Sequence, residues 1–193
     1  FLHLPGIVRA LIRDPDLPPE TRFVIQGAST GRDPAEIRAV GSARQALRAI
    51  DPRRVTVIED ALPTAAYHRL LQEATVVILP YDAVAYADRS SGVFADALAS
   101  GVAPVVPDGT WMASELRRLA DASQGGPDHG LVVDLIAAAP SDLASAVGRA
   151  IARRRTLRPI LASVRDTWQF THSPKAVLHT IDGGGASIAT YSR

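Results

Sequence analysis

Apolar residues recur along the chain with two alternating periods. Leu4, Ile7, Val8 and Leu11 have the three-to-four spacing of a helix, and Pro15, Pro18 and Pro19 then force a loop. Phe23 to Ala28 has the length and content of a strand. Asp33-Pro34-Ala35-Glu36 opens the next helix: Asp33 caps, Pro34 suits the first helical position, and Glu36 favours the positive end of the dipole. Ile37, Val40, Leu47 and Ile50 are expected to supply most of its apolar side. Val55 to Ile58 reads as a strand, and Tyr67, Leu70, Leu71 and Ala74 as an amphipathic helix. Two more strands follow, Val76 to Leu79 and Val102 to Val106, with a helix between them that stops at Gly101.

The same reading predicts a helix over Thr110 to Ala122, anchored by Trp111, Leu116 and Leu119. Leu131 to Leu135 is the expected last strand. Ser141 is expected to cap a helix through Arg153, with Leu143, Val147 and Ile151 inside. Further helices are expected over about Ile160 to Phe170 and from Ser173 to Ile181, with a loose glycine-containing tail over residues 183–193. Strands that alternate with helices, and are nearly continuous in apolar character, predict an α/β fold with a parallel sheet covered on both faces.

Composition narrows the function classes. At 193 residues the chain can bury one substantial core. Hydrophobic residues make up 47% but aromatic ones only 5%, which fits helices packed through small side chains better than a β-sandwich. A net charge of +1 argues against a dedicated nucleic-acid binder. With no cysteine, disulfides, thiol catalysis and cysteine metal sites are excluded. No apolar run approaches the roughly 20 residues of a membrane span; membrane association is possible but not indicated. The lack of cysteine is compatible with a reducing compartment, and the expected location is the cytoplasm.

Chemistry is expected in the loops that follow the strands, because ligands of open α/β sheets bind outside the strands' C-terminal ends. Four such loops are polar: Ser29 to Arg32, Glu59 to Leu62, Tyr81 to Gly92, and Pro107 to Thr110. The third is the richest, with Asp88, Arg89, Ser90, Ser91 and Gly92 in a row and Asp96 about one turn into the following helix. If Ser90 or Ser91 caps that helix, its free N–H groups make an anion site, and Gly92 lets a ligand come close to the backbone. Arg89 can grip phosphate with two parallel hydrogen bonds. The aspartates suit sugar hydroxyls better than phosphate, which they would repel. In the plainer reading the serines only cap, Arg89 pairs with Asp88, and Asp96 lies on a solvated face.

The spacing of Asp88 and Asp96, followed by Ala97-Leu98-Ala99-Ser100-Gly101 and an apolar strand, resembles the acidic motif of retaining GT-B glycosyltransferases. Tyr67, Leu70, Leu71, Ala74, Val76, Val77, Leu79 and Pro80 are similar to the helix and strand that precede that motif, and Pro104-Val105-Val106 to the strand after it. The likeness covers about Arg22 to Leu135. It implies a Rossmann-like three-layer domain over residues 1–182, the C-terminal half of such an enzyme, with an N-terminal domain upstream of Phe1. It also implies a nucleotide diphosphate sugar as donor, an acceptor of unknown identity, and no dedicated metal or other cofactor. Asp96 would hold ribose hydroxyls and Asp88 would sit near the donor sugar. Arg89, Ser90, Ser91 and Gly92 would lie against diphosphate or sugar, with Tyr81 beside them, and Glu59 and Leu62 would border the base. Alone, this half would bind donor without turnover. The chain departs from the family in three places. Both family glutamates are aspartates here, Ala103 takes the usual proline position, and the usual basic pair is not recognisable, with Arg9 the nearest candidate.

Two other readings are a non-catalytic α/β module and a nucleotide-sugar epimerase. The epimerase needs a cleft histidine, for which His68 and His129 are poorly placed. Asp14-Pro15-Asp16 reads as a solvated turn, and His172 with His179 lacks a third metal ligand. A P-loop and a Gly-x-Gly-x-x-Gly fingerprint are absent from the sequence. The basic run Arg149, Arg153, Arg154, Arg155 and Arg158 reads first as a solvated helix face, with contact to anionic lipid or to an upstream domain as the lesser alternative.

Overall fold

A computed structural model describes residues 1–27, 33–122 and 132–172. In chain order the elements are α1 (Leu4–Arg13), β1 (Phe23–Gln26), α2 (Pro34–Arg48), β2 (Val55–Ile58), α3 (Thr64–Glu73), β3 (Val76–Ile78), α4 (Gly92–Ala99), β4 (Ala103–Pro107), α5 (Trp111–Ala122), β5 (Ile136–Ala137), α6 (Leu143–Ala152) and α7 (Arg154–Thr171). The fold is α/β with parallel strands, as the alternation predicts. The strands form two ladders. β1 pairs with β2, with Phe23 opposite Val55 and Gln26 opposite Ile58. β3 pairs with β4, with Val76 opposite Ala103, and β4 pairs with β5, with Val106 opposite Ile136. Among the described residues no ladder joins the two sheets.

β4 is the centre of the molecule, and all five of its residues are buried. It fits the expectation of a continuously apolar strand covered on both faces. β1 differs: Phe23 and Ile25 are buried, whereas Val24 and Gln26 are exposed, so only one face is covered. Around β4 the core is built from Phe94 and Leu98 of α4, Met112 and Leu116 of α5, Leu143 and Val147 of α6, and Leu157 and Leu161 of α7. Leu11 of α1 and Leu47 of α2, both fully buried, extend it beneath β1 and β2.

Four expected details are corrected. Ile37 is 48% exposed and Val40 only half-buried, so α2 buries just Ala43 and Leu47 in its C-terminal half. The last strand is Ile136–Ala137; Val132 and Leu135 are buried but precede it. Ser141 does not cap. It lies in a 3-10 turn (Pro140–Asp142), and its hydroxyl donates to Asp142 Oδ1 at 3.3 Å. α7 begins at Arg154, six residues before the expected start, and runs through Pro159. Pro159 forfeits only the hydrogen bond its own N–H would give to the Arg155 carbonyl, and the buried Leu157, Ile160, Leu161 and Val164 hold the helix against that loss. The loop Ser29 to Arg32, the helix from Ser173 and the tail over residues 183–193 lie outside the described residues, as do His129 and His179.

Candidate functional site

The loop between β3 and α4 leaves the sheet at Pro80 and is tied down at four points. Tyr81 N–H donates to the Leu79 carbonyl at 2.8 Å and Tyr86 N–H to the Asp82 carbonyl at 3.0 Å. Ala85 N–H donates to Asp82 Oδ1 at 2.8 Å. Trp111 N–H, at the start of α5, donates to the Tyr86 carbonyl at 2.8 Å. The loop is therefore held over the ends of β3 and β4, where an open α/β sheet places its ligand.

Ser91 caps α4, as expected. Its backbone is extended and its Oγ accepts from Phe94 N–H at 3.3 Å. It is nearly buried, and the Tyr81 hydroxyl lies 3.3 Å from the same Oγ. Gly92 N–H and Val93 N–H open the helix with no intrahelical acceptor, as geometry dictates for a first turn. Nothing lies within 4 Å of where a Gly92 Cβ would be, so the backbone is open at that point. α4 ends at Gly101, whose φ of 69° is left-handed. Val102 N–H bonds the Ala97 carbonyl at 2.9 Å and Gly101 N–H the Leu98 carbonyl at 3.0 Å, a Schellman closure.

The charged residues of the loop separate into two groups. Asp88, Arg89 and Ser90 are exposed. Arg89 does not pair with Asp88; its guanidinium stands over the Tyr86 ring, 5.6 Å from the centroid. Tyr86 in turn stacks on Tyr81, with centroids 4.1 Å apart and planes 6° from parallel. Asp88 carries no hydrogen bond or ion pair among the described residues. Asp96 is half-buried rather than solvated, and its Oδ2 accepts from the Tyr67 hydroxyl at 3.1 Å. Burial, that hydrogen bond and the nearby Asp96 charge push the Tyr67 phenol up to about 12.

Tyr67 and Tyr86 are site residues that the sequence reading missed. Tyr67 fits the apolar stripe of α3, which gives its hydroxyl no role of its own. The available signal is scarcity: of the chain's four tyrosines, Tyr81 and Tyr86 stack within this loop and Tyr67 bonds Asp96 of the helix that follows it.

The other expected loops are more committed to structure. The Glu59 carboxylate is taken by Arg44 and Arg48 of α2, and Arg44 also donates to the Gly27 carbonyl at the end of β1. Glu59 thus ties α2 to the ends of β1 and β2. Leu62 is half-buried in the loop that follows. In the loop after β4, Thr110 is buried and caps α5. Its Oγ1 donates to the Pro107 carbonyl at 2.8 Å and accepts from Ala113 N–H at 3.2 Å. Asp108 meets Arg117 at 2.8 Å, and that hydrogen bond, with a second from Gly109 N–H, holds its carboxyl below the usual range.

No cluster of three or more metal-ligating side chains occurs among the described residues, and no helix there is long and apolar enough to cross a membrane. Comparison with protein-family models, with curated proteins and with solved structures finds no match.

Proposed function

We propose that this chain is the donor-binding half of a glycosyltransferase, one that transfers a sugar from a nucleotide diphosphate sugar to an acceptor, with retention. The observation that carries the reading is the open N-terminus of α4 beside Arg89. There two first-turn N–H groups and a guanidinium without a carboxylate partner share one loop at the strand ends. Such a place suits a diphosphate, through the helix dipole, the backbone donors and a forked cation. As the donor bond breaks, negative charge grows on the leaving diphosphate, and the same groups stabilise it without moving. Asp96 keeps Oδ1 for a ribose hydroxyl while Tyr67 holds Oδ2. Asp88, exposed and without a partner among the described residues, is free to meet the donor sugar in this reading.

The Tyr67–Asp96 bond also favours a second reading, a non-catalytic module in which Asp96 only fastens α4 to α3. Calorimetric titration with UDP, GDP and ADP separates the two. The donor-binding reading predicts binding of at least one nucleotide, weakened about tenfold or more in Asp96→Asn. Gly92→Ala gives an independent arm. Its methyl meets no protein atom, so the fold is kept and even gains helix propensity, while the close approach of phosphate is blocked. No binding of any nucleotide, or binding unchanged in both variants, supports the non-catalytic module.

A further inference from the structure

A concavity lined by several arginines lies at the opposite edge of the sheet. It has a volume of about 700 Å³ and is walled by the end of α3, the turn from α4 into β4, Ala150 of α6, and α7 from Arg154 to Arg165. Because the strands are parallel, this is the edge where β3 and β4 begin, away from the Tyr81–Gly92 loop. Arg154, Arg155, Arg158 and Arg165 line it, with Glu73 as the one acidic side chain of the lining. Thr75 and Ser100 add hydroxyls.

Two of the arginines have structural work. Arg165 pairs with Asp166 at 2.8 Å, and its stem lies over Gly101. Arg154 donates to the Ile151 carbonyl at 3.2 Å, closing the end of α6. Arg155 and Arg158 have none: both are exposed, and neither has a hydrogen bond or ion pair among the described residues. Their position is also electrostatically unfavourable. Arg154 and Arg155 stand in the first turn of α7 and Arg158 in the next, at the positive end of an 18-residue helix. That turn carries no acidic residue, and no side chain caps it. Even with Glu73 in the lining and Arg165 paired to Asp166, the arginines outnumber the carboxylates here and concentrate a positive potential that a bound anion would relieve.

We propose that this groove binds a polyanion bearing at least two phosphate groups, held by Arg155 and Arg158 with Arg154 and Arg165 behind them. Forked guanidinium contacts to phosphate oxygens fit the residue type, the chain's basic side chains at this groove being arginine throughout. The phosphates belong either to a soluble ligand or to lipid headgroups; the recognition chemistry is the same. The inference does not rest on the donor-binding reading, since it concerns the other edge of the sheet.

Tripolyphosphate titrated calorimetrically into the whole chain, together with co-sedimentation on phosphatidylcholine vesicles with and without phosphatidylglycerol, tests it. Wild type is expected to bind at least one of the two anionic probes and to ignore pure phosphatidylcholine. Arg155→Gln/Arg158→Gln is expected to lose about tenfold or more in affinity with its melting temperature unchanged. The charge-matched control Arg38→Gln/Arg118→Gln, on other faces, is expected to bind like wild type. Binding of tripolyphosphate assigns a soluble ligand, and binding confined to phosphatidylglycerol vesicles assigns headgroups. Binding of neither probe, or equal affinity in the groove variant and its control, overturns the proposal.

Discussion

Tyr67 is the residue of the candidate site whose titration is most displaced. Its phenol is held neutral by burial and by the hydrogen bond it gives to Asp96. The folded chain therefore binds this proton more tightly than the unfolded one, whose phenol titrates near 10. The stabilisation is complete below pH 10 and drains away as pH rises through about 12. Phenolate absorbance should accordingly show one tyrosine titrating late in wild type, and that component should vanish in Tyr67→Phe. If every tyrosine titrates near 10, the Tyr67–Asp96 bond is not formed in solution.

A serine cap could be narrowed to Ser90 or Ser91, because a serine before a short apolar helix commonly caps it, and the structure selects Ser91. Half-burial of Asp96 could not be read this way, since it depends on a hydroxyl 29 positions away. Nor could the separation of Arg89 from Asp88. A neighbouring carboxylate competes with an aromatic face for the guanidinium, and the stacked Tyr81–Tyr86 pair that supplies the face is assembled only by the loop's own fold.

At the scale of elements, α4 is specified at both ends: Ser91 starts it, and Gly101 ends it in a left-handed turn. A methyl at Gly101 would meet only ordinary contacts, the nearest at 3.7 Å, so the cost of replacement is conformational rather than steric. Gly101→Ala should destabilise by about 1–2 kcal/mol in urea unfolding. A neutral result would mean the turn relaxes to another closure. The glycine and the cap were legible because each answers a local need. The extent of α7 was not, because Pro159 is a local stop signal overruled by burial of residues on both sides of it. The exposure of Ile37 was hidden for a related reason: apolar spacing predicts which face is offered, and only packing decides how much of it is used.

At the scale of the whole molecule, one short helix joins core to site. Phe94 is fully buried two residues before Asp96. Its ring meets Trp111 edge-on at 5.9 Å and Trp168 at 6.3 Å, linking α4 to both α5 and α7. These are the chain's two tryptophans, so fluorescence reports on this packing directly. Phe94→Ala should cost about 3–5 kcal/mol, read from fluorescence-monitored urea unfolding, and should weaken the loop site as well. A loss under about 1 kcal/mol would show that Phe94 is not at the centre of the core.

The central claim is that the loop from Tyr81 to Gly92, with the N-terminus of α4, holds the diphosphate of a nucleotide donor. Amide-resolved NMR during titration with UDP, GDP and ADP tests it most directly, because it reports where a ligand sits as well as whether it binds. The prediction is that one nucleotide shifts the amides of Arg89, Gly92 and Val93 first, with Asp96 following, while any shift at Arg155 and Arg158 comes later and is the same for all three nucleotides, whose diphosphate is common. Shifts that begin at Arg155 and Arg158, or no shift at Gly92 and Val93 with any of the three nucleotides, would contradict it.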